Sequence, residues 1–232
     1  MNALAEAHRR VRDDIAAACE RVGRDPTSVG LVCVSKGIAA ARLMDAVTLG
    51  FGPLGENRVQ EAETKAGLVA GAEWHLVGRL QANKAARAVG LFSVIHSVDS
   101  LALARRLGRL SGEAGRRLPV YLQVNVDDDT AKSGFDPTDL EDCLPEILSL
   151  PDLGVVGLMT VGRQVTRAED ARPTFVRSRQ LSERLRTAQP LLGAGLSMGM
   201  SDDFTVAIEE GATVIRVGRA LFGRRPEPAS YD

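Results

Sequence analysis

The sequence predicts one closed parallel barrel of the (β/α)8 (TIM) type, and three observations favour that fold class. The length of 232 residues suits a single α/β barrel. A hydrophobic content of 44% is enough for a sizeable core. Above all, eight short apolar runs alternate with helical patterns almost to the end of the chain, which is typical of a parallel sheet with crossover helices. A doubly wound open sheet is the alternative, but eight successive units favour closure.

An extra helix precedes the barrel in this prediction. Apolar residues recur there at helical spacing, and Gly23 is the expected residue just after the helix end. One face of this helix is formed by Leu4, Val11, Ile15, Ala18 and Val22.

The eight predicted strands are the apolar runs themselves, and two of the helices between them have clear starts. Asp99-Ser100 can cap a helix that begins near Leu101, and Asp136-Pro137 supplies an N-cap followed by proline at the first helical position. The predicted strands are residues 30–36, 51–55, 74–78, 93–97, 120–125, 155–160, 194–198 and 213–217.

The sequence indicates one domain, over residues 1–223. It contains neither an internal repeat nor a linker rich in Pro, Gly or Ser. Residues 224–232, which include Pro226 and Pro228, are predicted to be a flexible C-terminal tail.

Charge and composition argue against several classes of partner. The net charge is −1 and aromatic residues make up 4%, which argues against nucleic acid and anionic membranes. The arginine-rich stretch 105–109 is interpreted as a solvated helix face. No apolar run approaches the roughly 20 residues of a membrane span, and the charged N-terminal segment does not resemble a signal peptide.

The cysteines and histidines predict neither disulfides nor a metal site. Cys19, Cys33 and Cys143 form no CxxC pair and indicate a reducing, cytoplasmic environment. The three histidines are too far apart in the sequence to nominate metal ligands.

A lysine and two glycine-bearing loops carry the functional prediction. Lys36 ends the first predicted strand, while residues 196–201 and 215–220 follow the last two. In this barrel class phosphate often binds between the loops after strands seven and eight, and closure places these loops beside strand one. An amine desolvated in the barrel mouth can attack an aldehyde, since burial lowers its pKa. This combination points to pyridoxal 5'-phosphate (PLP) held as a Schiff base; a surface lysine just past a strand is the alternative.

The loops after strands seven and eight supply candidate phosphate ligands. Gly199 and Gly218 allow close approach of backbone N–H groups to an anion. Ser201 can donate its hydroxyl to a phosphate, or it can cap a helix that starts near Asp202. Arg216 lies inside a strand and can face a pyridine nitrogen, with a structural ion pair as the alternative.

Other polar residues at or near the strand ends have more than one possible role. Asn57 can contact a cofactor ring or cap a helix. His96 is best interpreted as a hydrogen-bonded core histidine. The same interpretation is favoured for His75, which is nevertheless kept among the candidate cofactor-binding residues. Lys132 lies in a polar loop, where it is either a transient aldehyde acceptor or a solvated residue.

Taken together, these motifs resemble the YggS/PROSC-type PLP-binding proteins, also called PLP homeostasis proteins. The similarity is collinear over nearly the whole chain, and Leu-Ser-Met-Gly-Met-Ser-Asp-Asp at 196–203 is its most specific part. The other matching segments are residues 34–36, 55–57, 74–78, 80–84, 96–99, 132–134, 157–160 and 216–218.

The resemblance implies a barrel like the N-terminal domain of alanine racemase, with PLP on Lys36. It also implies that Arg216 faces the pyridine nitrogen and that Ser197, Ser201 and Gly218 lie at the phosphate. Such a protein is a PLP carrier in vitamin B6 homeostasis with no established catalytic residue, and apo PLP-dependent enzymes are its expected partners. A monomer is expected.

Three positions depart from the family pattern. Arg219 stands where a small hydroxyl residue is usual, so a charged contact to phosphate would replace a hydroxyl. Arg79 replaces a proline common after Gly78, and Ile38 stands where a second lysine is frequent.

The alternative to a carrier is a PLP-dependent enzyme resembling an amino-acid racemase. Racemisation needs one acid/base group on each face of the substrate. In alanine racemases the second group is a tyrosine from a separate domain, whereas the tyrosines here are Tyr121, within a strand, and Tyr231, in the tail. An arginine at the pyridine nitrogen also weakens PLP as an electron sink. A Schiff-base aldolase or a phosphosugar enzyme forms a third class, for which no strand end clearly offers a carboxylate or tyrosine beside the lysine.

Overall fold

The computed structural model describes residues 3–129, 132–162 and 165–223, which form a closed barrel of parallel strands in sequence order. The barrel closes where β8 pairs with β1, with Cys33 opposite Val217. This confirms the predicted fold class. The strands are β1 Gly30–Val34, β2 Leu54–Glu56, β3 Trp74–Leu76, β4 Val94–Val98, β5 Leu118–Gln123, β6 Leu153–Met159, β7 Gly195–Ser197 and β8 Val214–Val217.

Helices surround the barrel, and both predicted caps are present. The hydroxyl of Ser100 accepts from the N–H of Leu103, and the carboxylate of Asp136 accepts from the N–H of Thr138. The helices are α1 Ala3–Arg21, α2 Ala40–Thr48, α3 Val59–Ala66, α4 Ala85–Leu91, α5 Leu101–Glu113, α6 Pro137–Leu148, α7 Arg172–Ala188, α8 Phe204–Glu209 and α9 Arg219–Phe222.

The extra helix α1 packs against α8 and α9, close to the seam between β8 and β1. Gly23 follows it in a left-handed conformation with φ of 65°, as a C′ glycine should. Arg24 then donates to the carbonyls of Ile208 and Ala212, which ties the end of α1 to α8 and to the loop before β8. Val22, predicted on the apolar face, is 41% exposed because α1 ends one residue before it.

Several strands start or end away from their predicted bounds. The second begins at Leu54 rather than residue 51, because the preceding Pro53 has no N–H for the ladder and takes part only through its carbonyl. No helix in the described part of the chain is long and apolar enough to cross a membrane. The predicted tail, residues 224–232, lies outside the described residues.

Candidate functional site

A cavity of about 500 Å³ opens at the mouth of the barrel, where the carboxyl ends of the strands lie. Lys36 follows β1, Asn57 follows β2, and Ser201 follows β7, so the fold brings together residues that are far apart in the sequence. Of the predicted site residues, Lys36, Asn57, Ser201, Arg216, Gly218 and Arg219 line this cavity.

Charged residues from α3 and its preceding strand hold the short segment that carries Lys36. The Ser35 hydroxyl donates to Glu56 Oε1 at 2.6 Å, and Lys65 Nζ donates to the Ser35 carbonyl at 2.8 Å. On the other side of Lys36, the N–H of Gly37 donates to Glu61 Oε1 at 2.6 Å. The sequence interpretation missed these acidic and basic residues; the i,i+4 spacing of Glu61 and Lys65 was the signal that could have revealed their pairing.

Arg216 lies inside the barrel with 4% of its surface exposed. Its guanidinium donates to the carbonyl and hydroxyl of Ser197 at 2.6 and 2.9 Å, and to the carbonyl of Thr160 at 2.9 Å. Burial lowers its pKa to about 10, so the group remains a cation at neutral pH. The acceptors that hold the side chain are therefore neutral groups of Ser197 and Thr160, rather than the carboxylate of a structural ion pair. Asp203 contributes an electrostatic effect that raises the pKa of Arg216.

A hydrogen-bonded chain continues from Arg216 down through the barrel. Ser197 Oγ lies 2.8 Å from His96 Nδ1, and His96 Nε2 lies 3.0 Å from His75 Nδ1. His75 Nε2 is 3.3 Å from Glu73 Oε1. Because the Glu73 carboxylate can only accept, a neutral His75 carries its proton on Nε2 and accepts at Nδ1 from His96. A neutral His96 then has its proton on Nε2, and its Nδ1 accepts from the hydroxyl of Ser197.

The two histidines are core residues, as the sequence indicated. Burial lowers the pKa of His75, and burial lowers that of His96 much further, so both rings are neutral near pH 7. Tyr121 stacks on His96 with ring centroids 4.6 Å apart. Neither His75 nor Ser197, both predicted as cofactor-binding residues, is among the residues that line the cavity. Ser197 contacts the lining residue Arg216 directly, and His75 is connected to Ser197 through His96.

The loop after β7 differs from the prediction in one respect. Helix α8 begins at Phe204, with Asp203 as its N-cap residue, so Ser201 does not cap it. Instead the hydroxyl oxygen of Ser201 accepts from the N–H groups of Gly218 and Ala220, both at 3.3 Å. The Asp203 carboxylate accepts from the Met200 N–H at 2.6 Å and thereby tightens the loop. Ser201 thus joins the loops after β7 and β8, and its hydroxyl proton can be donated to a ligand.

The remaining predicted residues take up defined contacts. Arg219 forms an ion pair with Asp202 at the exposed rim. Lys132 Nζ donates to the carbonyl of Val161 at 3.1 Å and lines the cavity. Asn57 is not a helix cap, because Arg58 occupies the N-cap position of α3. A Cβ at Gly78 would lie 2.4 Å from the carbonyl oxygen of Asn57, so only glycine lets these two loops pack so closely.

The lining of the cavity suits an anionic aldehyde such as PLP. The volume falls in the range of small-molecule sites, roughly 300–1,000 Å³. Lys36, Lys132, Arg216 and Arg219 contribute four cationic groups, against the carboxylates of Asp202 and Asp203. The amine and the Ser201 hydroxyl come from opposite ends of the chain and meet in one cavity, as a phosphorylated aldehyde requires.

This geometry defines a class of protein: a (β/α)8 barrel whose mouth combines a lysine after the first strand with Ser201 and Gly218 in the loops after the last two. Residues 10–226 match the family described as alanine racemase, N-terminal domain. A protein of Aquifex aeolicus named pyridoxal phosphate homeostasis protein is 38% identical over 227 residues, covering 97% of this chain and 99% of that protein. A protein of the same name from Pseudomonas aeruginosa is 39% identical and covers 97% of both chains. The chain therefore belongs to the family of pyridoxal phosphate homeostasis proteins.

Solved structures show the same fold. PipY of Synechococcus elongatus PCC7942, solved with PLP bound, superposes with a TM-score of 0.85 at 42% identity and covers 95% of this chain and all of its own. Alanine racemase of Clostridium difficile 630 superposes with a TM-score of 0.73 at 13% identity, and the match covers 56% of that enzyme. The latter likeness concerns the barrel alone.

Proposed function

We propose that this protein binds PLP in the barrel mouth and serves as a carrier in PLP homeostasis. The observation that carries the proposal is the meeting of Lys36 with Ser201, Gly218 and Arg216 in one cavity. PLP supplies an aldehyde that forms a Schiff base with a primary amine, and Lys36 is the amine that we assign to it. PLP bound to PipY supports the assignment, since that protein shares the fold at 42% identity.

The other residues divide the remaining tasks. Ser201 and the loop at Gly218 hold the phosphate, with Arg219 at the rim as an added positive charge. Arg216 faces the ring nitrogen, and Ser197 keeps its guanidinium in place through two hydrogen bonds. His75 contributes indirectly, by orienting His96 against Ser197. Asn57 contacts the ring from the β2 side.

A carrier fits the cavity better than a racemase. Among its described lining residues there is no tyrosine and no histidine to act as an opposing acid or base. Tyr121 lies deeper, stacked on His96 and hydrogen-bonded to Thr213, and burial raises its pKa. Cα–H exchange and racemisation of L-alanine in deuterated water, lost in Lys36→Ala, would contradict the carrier proposal and identify an enzyme.

The biological setting is also part of the proposal. We infer a single domain over residues 1–223, acting as a cytoplasmic monomer that releases PLP to apo-enzymes.

Borohydride reduction followed by peptide mass mapping tests the proposed site. We expect a pyridoxyl adduct on Lys36, and Lys36→Ala should lose both the adduct and the visible absorbance of the bound cofactor. Lys132→Ala is the matched control, because its amine lines the same cavity; it should keep the adduct on Lys36. An adduct mainly on Lys84 or Lys132 of the wild-type protein would contradict the assignment.

A further inference from the structure

A largely buried cluster of three charged side chains forms hydrogen bonds with the chain on both sides of Lys36. Its members are Glu56, Glu61 and Lys65. We propose that these three are positioning residues, which hold the Lys36 segment in the geometry that retains PLP. This inference rests on the proposed function. We refer to the cluster as the Lys36 clamp.

The clamp is centred on one ammonium group. Lys65 Nζ donates to Glu56 Oε1 at 2.7 Å, to Glu61 Oε1 at 2.7 Å and to the Ser35 carbonyl at 2.8 Å. An ammonium group has three donors, so all of them are used. The Lys65 side chain is 10% exposed and that of Glu56 is fully buried, so water competes little for the bond between them. The Glu61 side chain is 28% exposed and forms the outer part of the cluster.

Each carboxylate also holds a group next to Lys36. Glu56 Oε1 accepts from the Ser35 hydroxyl, and Glu61 Oε1 accepts from the Gly37 N–H. Gly37 has φ of 75°, a left-handed conformation in which the chain leaves the strand direction. Gly37 lies beyond the end of β1, outside the β-ladder, and Glu61 provides the acceptor for its N–H. Lys36 is thus the residue between two anchored neighbours.

Burial of the carboxylates opposes their charged forms, so the clamp carries an energetic cost. Burial raises the pKa of Glu56, against the lowering effect of hydrogen bonds from Lys65 and Ser35. Burial also pushes the pKa of Glu61 upward, but the bonds from Lys65 and Gly37 outweigh it and hold that pKa below its ordinary value. Glu56 Oε2 is buried without a hydrogen-bond partner among the described residues. Apolar residues often replace buried ion pairs at no loss of stability, so a geometric role explains this cluster better.

The helix α3 links the clamp to the cavity. Glu61 and Lys65 lie one turn apart on α3, which starts just after Asn57, a cavity-lining residue. Glu56 precedes Asn57 at the end of β2. One short stretch of chain therefore both lines the cavity and fixes the segment that carries the amine.

Glu61→Ala is the sharpest test, because it frees the Gly37 N–H while leaving the Lys65–Glu56 pair intact. The matched control is Glu63→Ala on the same helix, where the carboxylate pairs with Arg87 at the surface. In the apo-protein, amide hydrogen exchange at Gly37 should be about tenfold faster in Glu61→Ala, as expected for a lost charge-assisted hydrogen bond. The rate of PLP release from the holo-protein should rise by about tenfold as well. Glu63→Ala should change neither.

A conservative variant separates positioning from folding. Glu61→Gln keeps a carbonyl oxygen that can accept from Gly37, so it should restore slow PLP release. The proposal is wrong if Glu61→Ala accelerates exchange at Gly37 but releases PLP no faster than Glu63→Ala does. It is also wrong if Gly37 exchange is unchanged. Failure of the proposed function would look different, since the wild-type protein itself would then give no pyridoxyl adduct on borohydride reduction.

Discussion

The two sides of the cavity are built by different means. On the amine side, Lys36 is held by the clamp of Glu56, Glu61 and Lys65, whose charges are paired and largely buried. On the phosphate side, Ser201 and Gly218 meet through long hydrogen bonds between a hydroxyl and backbone N–H groups. One side uses buried ions, and the other uses backbone conformation and a small polar side chain.

The difference follows from what each side must bind. A phosphate is recognised by backbone N–H groups and hydroxyls, which approach closely only where glycine leaves space. A Schiff-base lysine must instead reach its aldehyde from a fixed direction, and its long side chain has many rotamers to restrict. Buried ion pairs fix the backbone around this lysine, because removal of one partner leaves the other charge buried and unpaired. The amine side should therefore be the more sensitive to loss of a single group.

Removal of the central cation of the clamp should have the largest effect. Lys65→Met leaves the carboxylates of Glu56 and Glu61 without their shared partner, and the free energy of unfolding should fall by about 3–5 kcal/mol. Urea denaturation measures this loss in the free energy of unfolding. Arg87→Met is the control, because its ion pair with Glu63 is partly exposed; that variant should lose about 1 kcal/mol or less.

A second substitution distinguishes charge from packing. Lys65→Met combined with Glu56→Gln removes the unpaired buried charge, so the double variant should recover part of the lost stability. If Lys65→Met costs no more than Arg87→Met, the clamp does not hold buried charge and the contrast between the two sides fails.

On the phosphate side, the comparison predicts that backbone space matters more than charge. Gly199 has φ of 92°, and a Cβ there would lie 2.6 Å from the Cβ of Ala207. Gly199→Ala should therefore reduce the free energy of unfolding by about 3 kcal/mol, from backbone strain and overpacking together. Gly90 in α4 is the control, since no atom lies within 4 Å of its added Cβ. Gly90→Ala should stabilise the protein by about 0.5–1 kcal/mol, and equal losses in both variants would contradict the argument.

The same difference explains what could be predicted from the sequence. The phosphate side follows from contiguous residues, and the prediction that Ser201 and Gly218 meet needed only the barrel closure that eight repeated units imply. The start of α8 at Phe204 was missed because residues 201–203 form a turn before the helix, with the Asp203 carboxylate bonded back to the Met200 N–H. The clamp could not be predicted, because its contacts join Ser35 to Lys65 across 30 positions and depend on where the short strand β2 ends.

The burial of His75 was predicted, but its chain of contacts was not. A histidine inside a strand indicates a core residue with a hydrogen-bond partner. Which partner it finds depends on the strand register: β3 and β4 pair with His75 opposite Val94, so His96 lies further along the neighbouring strand, within reach of both His75 and Ser197. Such register is set by side-chain packing across the whole barrel, which one sequence does not reveal.

The smallest expected effect concerns the hydroxyl that joins the two phosphate loops. Ser201→Ala removes a side chain that accepts from the N–H groups of Gly218 and Ala220. We expect PLP affinity to fall by about tenfold, the value of one hydrogen bond to a charged group, while affinity for pyridoxal, which has no phosphate, should stay the same. Spectroscopic titration with both compounds measures the difference.

A serine outside the cavity provides the control for this variant. Ser100 also accepts from a backbone N–H at 3.3 Å, as the cap of α5. Ser100→Ala should lower stability by about 1 kcal/mol without changing the affinity for PLP. Ser201→Ala should instead lower the affinity for PLP with little loss of stability, because its hydroxyl contributes more to ligand binding than to the stability of the fold. Two results would contradict this assignment: equal loss of affinity for PLP and pyridoxal in Ser201→Ala, or equal affinity of the wild-type protein for both compounds. In either case the phosphate does not lie at Ser201 and Gly218, and the cavity does not have separate amine and phosphate sides.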